Sequence, residues 1–406
     1  MAAPTSDPIK PNRFGRHPHI TLCIFIVVLI LASDFLSAKA YEFIHGHRFS
    51  ARENLIQKIF RCSSPFYHHD LAPNKQARIS WKDFEFNIFT NSLGFRDKSN
   101  RNIARLSDRH RLLFIGDSFT EAMGFDYEDT FVGLIDSELS KSRVEVLNAG
   151  VASYSPVIYW KKIKYLLEDV GLRFDEAVVF IDISDIEDEA LYYGLDKKGN
   201  VKALNVRGRS STAKVGQNKL SAPVLENIFK QLKWYLKNDS ILTGFVLEKL
   251  QKRLLSNSQD VKLINLVRSS WTINKDIYRE YGQRGLEKSD LYMEKLYQLL
   301  NQYGIKLTVA VYPWPDQIYH RDLNSIQSSH WRDWCKKRQV SFIDYFPDFV
   351  TGQTQAEAEK IIAENYIEGD MHWNKKGHRL IAKVFLDFYH HLQAQAIGDG
   401  HHAQHN

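Results

Sequence analysis

Apolar and polar residues alternate in blocks along most of the chain, as they do where strands are joined by helices. Apolar runs with the length of buried parallel strands cover Leu112–Ile115, Val144–Leu147, Ala177–Ile183, Leu307–Val311 and Val340–Ile343. Segments with helical spacing follow most of them, at about 127–141, 156–169, 289–303, 325–338 and 376–393. Because parallel strands need crossover connections, this order predicts an α/β fold, namely a three-layer α/β/α sandwich around a five-stranded parallel sheet.

A segment at about 190–285 interrupts this alternation. Residues 196–270 contain 15 Lys or Arg and 5 Asp or Glu, a net charge of +10, whereas the whole chain carries +6. Apolar residues recur at helical spacing between about 223 and 255, which predicts an inserted basic helical cap. Such a segment suits anionic lipid headgroups or an anionic glycan, and a solvated lid is the alternative.

The N-terminus predicts where the chain resides. Lys10, Arg13 and Arg16 precede the apolar run Ile20–Ala32. This order predicts a basic cytoplasmic tail at 1–18, a transmembrane signal-anchor at 19–38 and an extracytoplasmic remainder, periplasmic if the source is bacterial. The apolar run is shorter than the roughly 20 residues that span a bilayer. Ala38-Lys39-Ala40 resembles a signal-peptidase site, so a cleaved signal peptide is the alternative.

The rest of the composition is that of an ordinary globular protein, with 44% hydrophobic and 25% charged residues. The modest net charge and the absence of zinc-finger, RNP or homeodomain patterns argue against nucleic-acid binding. The three cysteines lack the spacing of a metal or disulfide framework. A lead-in at 39–106 precedes the strand–helix region, and a flexible tail is expected at 393–406.

Two distant motifs carry the candidate chemistry. Ser118 lies in the sequence GDSFT directly after the first apolar strand, where open α/β sheets place their ligands. A serine hydroxyl is a weak nucleophile without a neighbouring base. The candidate base, His372, lies in DMHWNKKGH just before the last helix, on a loop that this topology returns to the same edge of the sheet.

Four blocks in order resemble one enzyme family. GDSFTE at 116–121, NAG at 148–150, DISD at 182–185 and DMHWNKKGH at 370–378 are similar to the four blocks of the SGNH (GDSL-type) hydrolases, and the lead-in TNSLGFRD resembles bacterial members. The resemblance covers about 107–392 and implies a flavodoxin-like sheet. The Asp-x-His-Trp form resembles the membrane-anchored branch related to polysaccharide O-acetyltransferases.

The resemblance implies a role for each matching residue. Ser118 is the nucleophile, His372 its base and Asp370 the carboxylate that orients the base. The backbone N–H groups of Ser118 and Gly150 are oxyanion-hole donors. Ser184 occupies the position of the usual asparagine donor, and its hydroxyl has a shorter reach than an amide. No metal or nucleotide cofactor is implied.

Other residues at the strand ends have two interpretations. Trp314 and Trp373 are candidates for substrate binding, with packing as the alternative for Trp314. The acidic residues at the end of the third strand are expected to form a solvated loop with acids at a helix N-terminus, and a cation site is the alternative. These acids are Asp182, Asp185, Glu187, Asp188 and Glu189.

The expected function is a serine-dependent esterase or O-acyltransferase that acts through an acyl-enzyme on ester groups, foremost O-acetyl groups, of an extracytoplasmic glycan. Its partners are then an acylated glycan or small ester and, through the N-terminal helix, the membrane. A lipid esterase or thioesterase is one alternative. A non-catalytic glycan-binding subunit of an export machine is another, because the usual asparagine is missing.

Overall fold

The computed structural model describes residues 17–45, 59–81, 84–204, 240–241, 266–351 and 354–403. The chain divides into one unit of Met1–Leu55 with Lys214–Gln259 and a second of Ile56–Ala213 with Asp260–Asn406. Apart from residues 240–241, the cap predicted at 223–255 lies outside the described residues. The segments that flank it, up to residue 204 and from residue 266, belong to the second unit.

Strands and helices of the described residues have the following bounds. The strands are β1 Arg61–Ser64, β2 His68–Leu71, β3 Gln76–Trp81, β4 Phe84–Thr90, β5 Arg96–Asp97, β6 His110–Ile115, β7 Val144–Asn148, β8 Glu176–Ile181, β9 Tyr193–Leu195, β10 Val201–Ala203, β11 Lys306–Val311 and β12 Ser341–Asp344. The helices are α1 Pro18–His45, α2 Ser118–Glu121, α3 Phe131–Leu139, α4 Pro156–Tyr165, α5 Asp185–Glu187, α6 Leu266–Ser269, α7 Lys275–Ile277, α8 Gln283–Gln302, α9 Pro315–Tyr319, α10 Ile326–Arg338, α11 Phe346–Phe349, α12 Gln355–Asn365 and α13 Lys375–Ala403. Short 3-10 turns cover Tyr127–Asp129, Ser140–Ser142 and Ser270–Thr272, and π-turns cover Leu166–Val170, Asp188–Tyr192 and Tyr278–Gly282.

The central sheet has eight strands in the order β12-β11-β8-β6-β7-β5-β4-β3. The five strands predicted from the apolar runs are its parallel part, paired as β12-β11-β8-β6-β7. Numbered along the chain, these five follow the flavodoxin-like order 2-1-3-4-5. The chain reverses direction across the sheet between β6 and β8, and a crevice forms outside the carboxyl ends of strands at such a point.

The prediction of a five-stranded sheet with a separate lead-in is wrong. β3, β4 and β5 come from the lead-in and extend the sheet with antiparallel pairing, ending on β7 through Arg96 and Asn148. The sequence FEFNIFT at Phe84–Thr90 alternates apolar and polar residues, the signature of a strand with one buried face. The residues from about 59 to 106 therefore belong to the same domain as the strand–helix region.

Helices pack in pairs around this sheet. α4 packs against α8, and α3 packs against α13. The core that they bury against the sheet includes the parallel strands, whose residues are almost completely buried. The three-layer arrangement stays a prediction. The final helix continues to Ala403 and so includes most of the tail expected from residue 393, whose flexibility stays a prediction. No proline interrupts this segment, and Ala, Gln and Leu favour the helix over its two late glycines.

The N-terminal helix is longer than its apolar run. α1 has 28 residues, and its length and apolar composition suit it to crossing a membrane. At a rise of 1.5 Å per residue it is about 42 Å long, more than the roughly 30 Å of a bilayer's hydrocarbon core. The short run Ile20–Ala32 is therefore extended by Ser33 to His45, which continue the same helix.

Candidate active site

The nucleophile turn follows β6 directly. A side chain at Gly116 would place its Cβ 2.1 Å from Thr120 Oγ1, so only glycine lets α2 fold back so closely on the end of the strand. Asp117 caps this helix, because its Oδ1 accepts a hydrogen bond from the N–H of Phe119 at 3.0 Å. Asp117 therefore has a structural role in the turn. Ser118, the first helical residue, is half-buried at the edge of the sheet.

Ser118, His372 and Asp370 form one hydrogen-bond chain. Ser118 Oγ lies 2.8 Å from His372 Nε2, and His372 Nδ1 lies 2.5 Å from Asp370 Oδ1. An ionised carboxylate can only accept hydrogen bonds, so Nδ1 of His372 carries the hydrogen that it donates to Asp370, which leaves Nε2 as the acceptor for the serine hydroxyl. The same carboxylate oxygen accepts the backbone N–H of His372 at 2.8 Å. Residues 254 positions apart in sequence thus have the geometry of a serine nucleophile with an oriented base.

Two aromatic rings hold the imidazole of His372. Trp81 meets it edge-on with ring centroids 5.8 Å apart, and Phe119 lies 4.8 Å from it on another side. Trp81 belongs to β3, so the lead-in contributes to the site, which the sequence did not indicate. These contacts limit rotation of the imidazole, and they therefore keep Nδ1–H aligned with the Asp370 carboxylate.

Two of the three predicted oxyanion positions, Gly150 and Ser184, lie on the loops after β7 and β8. The Gly150 N–H donates to Asn148 Oδ1 at 3.0 Å, so this donor is already engaged. Asn148 Nδ2 in turn donates to the carbonyl of Thr120 at 2.8 Å, and this ties the loop to the nucleophile helix. Ser184 is buried, and its N–H donates to Asp182 Oδ1 at 2.8 Å. Among the described residues, neither the Ser184 hydroxyl nor the Ser118 N–H has a hydrogen-bond partner.

A buried arginine, Arg96, stabilises the carboxyl end of the nucleophile helix α2. Arg96 is almost fully buried, and its guanidinium donates to the carbonyls of Glu121, Ala122 and Phe125. These carbonyls are at the end of α2 and beyond it, where intrahelical donors are absent. Arg96 lies in the lead-in motif TNSLGFRD, so that motif had indicated the region but not this role.

Glu121 links the same helix to the neighbouring loop. The carboxylate is completely buried, pairs with Arg61 at 2.7 Å and accepts the N–H of Ala152 at 2.7 Å. Ala152 comes two residues after Gly150. The loops that carry Ser118 and Gly150 are therefore joined by a charge-assisted hydrogen bond as well as by Asn148.

The acids after β8 are buried, which corrects the expected solvated loop. Asp182, Asp185, Glu187, Asp188 and Glu189 are each at most 5% exposed. β8 ends in the interior, and the first three residues of the π-turn at Asp188–Tyr192 are buried as well. Arg268 offsets part of this charge, pairing with Glu187 at 2.7 Å and Asp188 at 2.5 Å.

Burial controls the protonation of this cluster. Burial first, then the nearby charges of Asp182 and Asp188, raises the pKa of Asp117 well above its ordinary value. Burial, then Asp117 and Asp182, raises the pKa of Asp185 in the same way. Asp117 Oδ2 lies 3.3 Å from Ser118 Oγ, and its preference for the neutral form leaves His372 as the stronger acceptor for the serine proton.

One group of described residues has a spacing that would suit a cation. The nearest carboxylate oxygens of Asp117, Asp182 and Asp185 all lie within 4.8 Å of one another. Protein donors already engage most of these oxygens. Asp182 accepts from the indole of Trp314 at 2.6 Å, and Asp185 accepts from Tyr159 at 2.7 Å.

Trp314 and Trp373 do not offer a face to substrate. Trp314 is 1% exposed and Trp373 is completely buried. Trp373 packs edge-on against Phe119 and Tyr312, with ring centroids 4.7 Å apart in each case. Burial therefore favours the packing interpretation of Trp314 and argues against substrate contact by either indole. Indole burial of this kind anchors the loops that carry His372 and the end of β11.

Comparisons with known proteins give remote structural similarity. No family model and no curated protein matches the chain. A catalytic mutant of the acetylxylan esterase Axe2 from Geobacillus stearothermophilus is 11% identical with a TM-score of 0.36, covering 70% of this chain and 95% of its own. The esterase EstA from Pseudoalteromonas sp. is 10% identical with a TM-score of 0.34, covering 68% and 95%. At these values the similarity assigns neither family nor activity.

Proposed function

We propose that this chain is a serine esterase or O-acyltransferase that works through an acyl-enzyme, as in the SGNH hydrolases that its motifs resemble. The observation that carries the proposal is the hydrogen-bond chain from Ser118 Oγ through His372 to Asp370, with distances of 2.8 and 2.5 Å. A half-buried serine with a base so oriented is suited to attack on a carbonyl carbon.

The reaction has two balanced steps. His372 Nε2 takes the proton of Ser118 Oγ while Oγ bonds to the ester carbonyl carbon and the carbonyl π electrons move to oxygen. When the carbonyl re-forms, the alcohol leaves with the proton from Nε2, and the acyl group stays on Ser118. Water or a sugar hydroxyl then attacks, gives its proton to Nε2, and Ser118 leaves re-protonated. Asp370 stabilises the imidazolium of both steps.

This site has few free hydrogen-bond donors to stabilise the oxyanion. The Ser118 N–H and the Ser184 hydroxyl are available to a developing negative charge, whereas the Gly150 N–H must be shared with Asn148 Oδ1. Loss of one donor costs roughly 2.7–4 kcal/mol in the transition state. We therefore expect slow hydrolysis of simple esters, and we expect a bound acceptor to improve turnover through positioning.

The proposed substrate is an extracytoplasmic glycan that carries ester-linked acyl groups, foremost acetyl. The helix α1 would anchor the chain in a membrane, and Lys10, Arg13 and Arg16 favour a cytoplasmic N-terminus. The catalytic unit would then face outward, where acylated glycans are exposed. The Asp370-x-His372-Trp373 form favours the O-acetyltransferase branch within this proposal.

Active-site labelling tests the proposal. The full chain in detergent micelles is treated with a fluorophosphonate probe, and p-nitrophenyl acetate turnover is measured alongside. We expect labelling of wild type, none in Ser118→Ala, and a fall in turnover of several orders of magnitude in Ser118→Ala and His372→Ala. Ser137→Ala, which removes an exposed hydroxyl on α3, is the matched control and should match wild type. Unchanged turnover in Ser118→Ala refutes the proposal.

Two alternatives have distinct outcomes in the same experiment. A non-catalytic glycan-binding subunit is favoured by the engaged Gly150 N–H and by Ser184 in place of asparagine, and it predicts no labelling of Ser118 with His372 intact. A lipid esterase or thioesterase predicts labelling together with a preference for long-chain p-nitrophenyl esters or acyl thioesters over acetyl esters.

A further inference from the structure

A cavity of about 380 Å³ opens beside the loops that follow β7 and β8. Ser153, three residues beyond Gly150, lines one side, and Arg268, whose guanidinium donates to the carbonyl of Ser184 at 3.3 Å, lines another. The cavity therefore lies beside the chain segments that carry Gly150 and Ser184, while its walls include neither Ser118 nor His372.

The walls combine one exposed aromatic ring with hydrogen-bonding groups. Tyr192 is 41% exposed, and Asp188, Arg268 and His68 line the cavity around it. A sugar offers polarised C–H bonds to the negative face of an aromatic ring and hydroxyl groups to planar carboxylates and guanidinium groups. The volume is at the lower end of the roughly 300–1,000 Å³ of small-molecule sites. It suits a short stretch of a polar chain.

The charges favour a neutral ligand over an anionic one. The guanidinium of Arg268 is matched by two carboxylates, those of Glu187 and Asp188. Burial lowers the pKa of His68, so the imidazole stays neutral at physiological pH. An anionic sugar would meet the carboxylates without gaining an unmatched cation among the described lining residues.

An acyl chain in the same cavity would cover its charged side chains. Leu204 is the large aliphatic side chain of the lining, whereas Asp188 and Arg268 present charges. A long hydrocarbon would remove water from these charges without replacing its hydrogen bonds, which is costly. Hydroxyl groups replace those hydrogen bonds directly.

We propose that this cavity is the saccharide subsite of the enzyme, and that it binds an uncharged sugar unit of the glycan with Tyr192 stacked on the sugar ring and Asp188 and Arg268 on its hydroxyls. The subsite rests on the proposed function and deepens it, because it names a neutral glycan as the substrate class and binds that glycan beside the segments that carry Gly150 and Ser184.

Binding to a catalytically dead protein tests the subsite without relying on turnover. The full chain with Ser118→Ala in detergent micelles is titrated by calorimetry with the pentasaccharides of xylan, mannan, cellulose and chitin, each with and without O-acetyl groups. We expect at least one neutral oligosaccharide to bind, and Tyr192→Ala to weaken it about tenfold, the value of one stacked ring. Tyr192→Phe should retain binding, since it keeps the ring. Tyr303→Ala should also bind the oligosaccharide as tightly as the Ser118→Ala protein does. Tyr303 is 38% exposed and lies before the amino end of β11, at the opposite edge of the sheet.

Kinetics with the Ser118-intact protein separate the two proposals. Tyr192→Ala should raise KM for the acetylated oligosaccharide that binds, and its loss on that ester should exceed its loss on p-nitrophenyl acetate by about tenfold. The subsite is refuted if no neutral oligosaccharide binds, if uronic-acid oligosaccharides or long-chain esters bind more tightly, or if Tyr192→Ala leaves oligosaccharide binding unchanged. If Ser118→Ala abolishes turnover in that case, the esterase proposal stands and the subsite alone falls. If Ser118→Ala retains turnover, the esterase proposal falls, and the binding data decide the subsite independently.

Discussion

Glu189 allows the effect of a buried acid on this site to be measured. Its side chain is completely buried, and Oε1 accepts hydrogen bonds from the Ser155 hydroxyl at 2.8 Å and the Val157 N–H at 2.6 Å. Both donors belong to the start of α4, which follows the Gly150 loop. Burial is the main cause that raises the pKa of Glu189 from 4.5 to about 7, and the two hydrogen bonds limit the rise.

The sign and size of the pH effect follow from this shift. Between pH 4.5 and 7 the folded state holds a proton on Glu189 that the unfolded state has released. The free energy of unfolding is therefore highest below pH 4.5 and falls as the pH rises through 7. A shift from 4.5 to about 7 corresponds to about 3 kcal/mol, of which about 2.5 kcal/mol falls between pH 5 and 8. Glu189→Gln keeps the accepting oxygen and removes the titration.

The assay is denaturant unfolding of the detergent-solubilised chain, followed by tryptophan fluorescence at pH 5 and pH 8. Between pH 5 and pH 8 the free energy of unfolding of wild type should fall by about 2.5 kcal/mol more than that of Glu189→Gln. Glu287→Gln, on the exposed face of α8, should keep the wild-type pH dependence. If wild type and Glu189→Gln differ by less than about 0.5 kcal/mol in this loss, the carboxyl is not the neutral buried group that the structure indicates.

Three further predictions concern the site, the core and the anchor. Ser184→Asn should raise p-nitrophenyl acetate turnover, up to about 100-fold, because an amide reaches further than a hydroxyl, and an unchanged rate would contradict an oxyanion role for this position. Lys162 is completely buried and pairs with Asp70 at 2.7 Å, so Lys162→Met should lower the free energy of unfolding by about 3–5 kcal/mol. Adding Asp70→Asn should restore part of that loss, and no recovery would show that the pair is not the cause. The chain should stay in membranes after carbonate washing if α1 is an uncleaved anchor, whereas a mature N-terminus at Tyr41 would reveal a cleaved signal peptide.

Local patterns in the sequence were enough to predict the parallel half of the fold. The strands that include Leu112–Ile115 and Val144–Leu147 are short apolar runs between polar segments, and this periodicity depends only on which side chains face a common core. The placement of Ser118 and His372 at one edge followed from topology, since the carboxyl ends of parallel strands share that edge. The family blocks added Asp370, which the structure places 2.5 Å from the imidazole.

Contacts between distant segments needed the tertiary structure. Arg96 and Trp81 come from the lead-in, and nothing in their local sequence indicates that they support α2 and the His372 ring. The burial of Asp182 and Trp314 depends on how β8 and β11 end beside each other, because the indole and the carboxylate satisfy one another at 2.6 Å. A charged residue is normally assigned to solvent on composition alone, and only a partner brought from elsewhere in the chain reverses that choice.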